Sequence, residues 1–99
     1  MLYPKFILTR AGYLRIGTVR QHRDLLLHGD RCAGGGYWEI DYVNNALALS
    51  GQSYDFGEPQ WSAISTLYIP ESYRGMAITY EGREVEVVKT KYYDDSFIV

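Results

Sequence analysis

Two histidines are the first side chains to weigh for chemistry, because imidazole titrates near neutral pH and suits general acid–base work. Val19, His22 and Leu26 fall at three- and four-residue spacing, so a helix there aims His22 at the body of the protein. The same spacing fits an ordinary structural histidine. His28 stands near the end of that segment, where a cation suits the helix dipole. Lys5 opens an apolar run and is either a solvated strand end or a point charge for a phosphate. Gly34-Gly35-Gly36 can bring backbone N–H groups to an anion, or can simply allow close approach of a strand. Gly51 and Gly57 bracket Ser53, whose hydroxyl and neighbouring amides form either an anion nest or a plain connecting loop. The G-x-S-x-G spacing of a nucleophile elbow is missing there, and no triad accompanies it. No pair of histidines or carboxylates has metal-ligand spacing. The single cysteine, Cys32, leaves neither an internal disulfide nor a cysteine zinc cage. No metal or cofactor is expected.

The elements that must position these groups follow from periodicity. Phe6–Thr9 and Tyr13–Gly17 read as two strands joined at Ala11-Gly12. Thr18 and Gln21 have capping-box spacing, which predicts a short helix to about His28, closed by Gly29. The glycine triplet punctuates the chain before a strand over Tyr37–Asp41, followed by an Asn44-Asn45 turn and a partner strand over Ala46–Ser50. Pro59 opens a second helix through Thr66, ended by Pro70. Met76–Tyr80 and Glu84–Lys89 read as two further strands. The economical fold is α+β: a single mixed, largely antiparallel β-sheet with two helices packed on it.

Composition sets outer limits. With 99 residues, 46% hydrophobic and 22% charged, the sequence suits one domain spanning residues 1–99. A net charge of −2 does not point to nucleic acid. No apolar run reaches the ~20 residues that cross a bilayer, and the start lacks a signal-peptide core, so a cytoplasmic setting is expected. The charge is lopsided. Residues 1–31 carry a local +4 and the remainder a local −6, which predicts a basic surface near the first strands. The ten tyrosines fit packing on a half-exposed sheet.

Taken in order, these motifs resemble the Janus/Ocnus family, which includes the protein histidine phosphatases. Lys5-Phe6-Ile7-Leu8 looks like the family's first strand, and His22-Arg23-Asp24 stands in the place of its His-Ala-Asp. Gly34-Gly35-Gly36 is similar to its triple glycine, and Gly51-Gln52-Ser53 to its Gly-Tyr-Ser phosphate loop; Ala63-Ile64-Ser65-Thr66 follows at the matching distance. The resemblance covers roughly residues 4–80. It implies a metal-independent phosphatase acting on phosphohistidine or a related phosphoramidate. His22 would be the general base; Lys5, the Arg23 amide, Gly36 and Ser53 would line the phosphate site. The substrate would be a phosphorylated protein or a small phosphoramidate. Two positions depart from the pattern: Tyr37 stands where the family has arginine, and Asp55 where it has a small residue. Both adjoin the implied site. They favour the alternative expectation, a non-catalytic binding module that takes a small or peptide ligand in the remodelled cleft, one with an amine or guanidinium beside a phosphate. A third expectation is an interaction protein that works through an exposed sheet edge or through its charge asymmetry, with no pocket.

Overall fold

In the computed structural model, residues 1–51 and 56–96 are described. Eight strands dominate: β1 Tyr3–Thr9, β2 Leu14–Val19, β3 Cys32–Asp41, β4 Ala46–Ser50, β5 Thr66–Pro70, β6 Ala77–Tyr80, β7 Arg83–Glu84 and β8 Lys89–Tyr93. Six form one sheet in the order β2-β1-β3-β4-β6-β7, with only β4 and β6 running parallel. The other two, β5 and β8, pair in parallel as a second sheet. It meets β2 at the Tyr13–Tyr68 bridge, where the Tyr68 N–H donates to the Gly12 carbonyl at 2.8 Å.

The expected α+β architecture is overturned. Among the described residues the only helical pieces are 3-10 turns at His22–Leu25, Trp61–Ala63 and Glu71–Tyr73. Thr18 and Val19, assigned to a helix start, stay in β2 opposite Pro4 and Tyr3. β-branched side chains suit that pleated setting. The turn begins three residues later, where the Gln21 N–H donates to the Asp24 carboxylate at 3.0 Å. It stops after four residues, and Asp30 receives the Leu27 N–H at 2.9 Å. A helix this short gains too few bonds to offset its nucleation. Likewise, Thr66, Tyr68 and Ile69 are β-branched or aromatic, and Leu67 and Ile69 enter the core as strand residues.

Register sorts the side chains of the large sheet onto two faces. Phe6, Leu8, Leu14, Leu47, Leu49 and Ile78 share one face and pack with Ile64, Leu67 and Ile69 into the core. Lys5, Ile7, Arg15, Gly17, Gly35, Tyr37 and Glu39 share the opposite face. The central strand β1 is buried on both sides from Lys5 to Thr9, which explains its unbroken apolar run. No helix of the described residues is long and apolar enough to cross a membrane.

Candidate functional site

His22 lies on the second face, at the start of its 3-10 turn, and is only 3% exposed. The turn lands on β1–β3 because two glycines clear space for it. A Cβ at Gly17 would sit 2.9 Å from Leu25 Cδ2, and one at Gly35 would sit 3.2 Å from His22 Cδ2 and 2.8 Å from the Phe6 carbonyl. The triple glycine therefore lies inside β3, with Gly35 as the landing surface for the turn, rather than standing as punctuation ahead of the strand. Its amides are not a free anion nest. The Gly35 N–H donates to the Gly57 carbonyl at 3.1 Å, and the Gly34 N–H to Cys32 Sγ at 3.4 Å. Burial pushes the Cys32 thiol up from its ordinary value, away from thiolate chemistry.

The His22 Nε2 atom lies 2.8 Å from the Gly36 carbonyl oxygen. A carbonyl can only accept, so Nε2 carries the proton and, in the uncharged ring, Nδ1 holds the lone pair. The ring edge also meets Tyr37, with centroids 5.5 Å apart, and Phe56 at 6.4 Å. Lys5 is opposite Tyr37 in the β1–β3 register. Its ammonium donates to the Arg20 carbonyl and stands 6.0 Å from the Tyr37 ring centre and 5.6 Å from that of Tyr3. Lys5 is 9% exposed, so it is no solvated strand end.

Four sequence-named residues thus come together: Lys5, His22, Gly36 and Tyr37. Gly36 contributes its carbonyl to His22, in place of the expected phosphate contact. Arg23 is exposed beside His22 and forms no ion pair among the described residues. Ser53 and Asp55 lie outside the described residues. The residues that follow them do reach this place: Phe56 meets the His22 ring and the Gly57 carbonyl holds the Gly35 N–H.

Further along the same face, past Tyr37, no element among the described residues covers the sheet. A groove of about 670 Å³ lies over β4, bordered by Tyr37, Glu39 and Asp41 of β3 on one side and by Thr79 and Glu81 on the other. Its floor is Ala46 and Ala48. The sequence reading missed this feature. Its signal was the alternation Tyr37-x-Glu39-x-Asp41 opposite Ala46-x-Ala48-x-Ser50, which sets polar walls against a small-residue floor.

The other basic residue drawn into this face is Arg15. Its Nε and Nη2 donate to the Asp30 carboxylate at 3.1 and 3.2 Å, with Tyr13 and Tyr93 rings 4.6 and 5.2 Å from the guanidinium carbon. Burial pushes the Asp30 carboxyl up, but the Arg15 hydrogen bonds, the Leu27 N–H and the Arg15 charge together outweigh it. The net effect holds Asp30 below its ordinary value. This pair fixes the chain just after the His22 turn. No group of three or more metal-ligating side chains occurs among the described residues.

Compared with protein-family models, with curated proteins and with solved structures, the chain finds no match.

Proposed function

We propose that the protein is a metal-independent phosphatase acting on phosphohistidine or a related phosphoramidate, with His22 as general base. The observation that carries this reading is the Nε2–H bond to the Gly36 carbonyl, which fixes the ring and makes Nδ1 the basic atom. In the reaction water attacks phosphorus as the P–N bond breaks, releasing inorganic phosphate and the free amine. Nδ1 takes the proton from water and returns it to the leaving nitrogen. Lys5, beside the same Tyr37 ring, supplies positive charge for the phosphoryl oxygens. Phe56 and Gly57, which follow the segment carrying Ser53 in sequence, meet the His22 ring and β3, which agrees with a phosphate-holding role for that segment.

The test is phosphate release from phosphohistidine and phospholysine in the presence of chelator. His22→Ala removes the base but also a buried anchor. His22→Gln keeps an amide donor for Gly36 and lacks the base, so it separates chemistry from folding. Turnover by wild type and none by folded His22→Gln is expected. Undiminished turnover in His22→Gln removes His22 from the mechanism.

A second reading, a non-catalytic binding module, is favoured by one observation: Tyr37 sets an aromatic ring, not a second cation, between Lys5 and His22. Folded wild type that neither hydrolyses these substrates nor binds phosphate would select it.

A further inference from the structure

The groove over β4 differs from the His22 cluster in chemistry. It contains Glu39, Asp41 and Glu81, and no lysine, arginine or histidine lines it among the described residues. Two of the three carboxylates are already engaged. Asp41 accepts the Val43 and Asn44 N–H groups and the Asn44 side-chain amide, and Glu81 accepts the Gly51 N–H at 2.7 Å. Glu39 is exposed and makes no hydrogen bond or ion pair among the described residues. It is opposite Ala48, which is in turn opposite Thr79, so one cross-strand row runs from free carboxylate over a methyl floor to a hydroxyl. The walls on β3 and β6 flank a single strand and so stand two strand spacings apart, about 10 Å. That width admits one extended chain or one long side chain lying on the alanines.

We propose that this groove docks an extended peptide segment of a partner protein through an arginine side chain. The arginine stem covers Ala48, its planar head pairs in bidentate fashion with Glu39, and the Tyr37 ring borders the guanidinium. Charge complementarity chooses the occupant: an acidic segment would meet three carboxylates and no cation. The inference is independent of whether His22 hydrolyses a phosphoramidate.

The probe is a capped five-residue glycine peptide with a central arginine, titrated into the ¹⁵N-labelled full chain at low salt. The same peptide with a central glutamine is the control. Amide shifts are expected at Glu39, Ala48 and Thr79, with the glutamine peptide giving none. Glu39→Gln should weaken binding about tenfold, the usual worth of one charge-assisted contact. Ala48→Phe, which fills the floor, should abolish it. Glu58→Gln, an exposed carboxylate outside the groove, should leave it unchanged. Equal binding of both peptides, shifts elsewhere on the surface, or equal losses in Glu39→Gln and Glu58→Gln would overturn the proposal. Glu39→Gln changes only an exposed side chain, so the test stands even if Ala48→Phe misfolds.

Discussion

One face of the large sheet has two unlike halves. Over β1–β3 it is closed by the His22–Leu25 turn, and the strand positions beneath are Gly17 and Gly35, where any side chain would collide with the turn or with the Phe6 carbonyl. Over β4 it is open among the described residues, and the half-buried strand position there is Ala48, small enough to leave a groove yet large enough for a strand. Glycine therefore marks where this protein lays its own chain on the sheet, and Ala48 marks where no described residue does. The buried half holds a histidine in a single orientation. The open half holds a carboxylate with no partner among the described residues.

Substitutions that break this contrast should be costly on the closed half and cheap on the open one. Gly35→Ala has the largest expected effect, ~3 kcal/mol in denaturant unfolding, because the new methyl meets backbone oxygen at 2.8 Å as well as the His22 ring. Asp30→Asn should cost about 2 kcal/mol, less than a fully buried pair, because the Arg15 and Asp30 side chains keep some exposure. The pH dependence has a definite sign. A carboxyl depressed in the folded state contributes stability that is complete above its unfolded value, about 4. That contribution is lost as pH falls through the folded-state value. Wild type should lose stability in that acid range, and Asp30→Asn should show a flatter acid limb; an unchanged limb would contradict the assignment.

Gly17→Ala sharpens the comparison. Its Cβ meets only the flexible end of Leu25, which can move, so a loss of about 1 kcal/mol is expected. Ala48→Leu on the open half should change the free energy of unfolding by no more than about 0.5 kcal/mol. A loss on the open half as large as that at Gly35 would show that the groove is itself packed in solution.

Much of this was legible in the sequence wherever local pattern and tertiary setting agree. The β1–β2 hairpin forms around Ala11-Gly12, and the β3–β4 hairpin turns at Asn44-Asn45, with Asn45 in the left-handed region. His22 is buried as expected, but not by the helical spacing with Val19 and Leu26 that suggested it: Val19 belongs to β2, and Leu25 is the residue buried with it in the 3-10 turn. Both helices failed for one reason. The 18–28 and 59–66 segments have capping or proline signals at their starts, but each is too short to hold a helix without packing, and strand pairing claims Thr18, Val19 and Thr66. The glycine triplet was read as a boundary because glycine weakens a strand in isolation. Its justification is non-local, in the ring of His22, the Phe6 backbone and the 56–59 segment. The groove escaped notice because emptiness has no sequence motif, only alternation on two neighbouring strands.

The central claim is that His22 is locked as the Nε2–H tautomer with Nδ1 as the basic atom. Long-range ¹H–¹⁵N correlation on ring-labelled protein, at a pH where the imidazole is uncharged, reads this directly, with the exposed His28 as internal reference. The account predicts a protonated Nε2 and an unprotonated Nδ1 for His22, with the Nδ1 signal shifting when inorganic phosphate or vanadate is added. A His22 ring protonated at Nδ1, or averaging between tautomers as an exposed imidazole does, would contradict it.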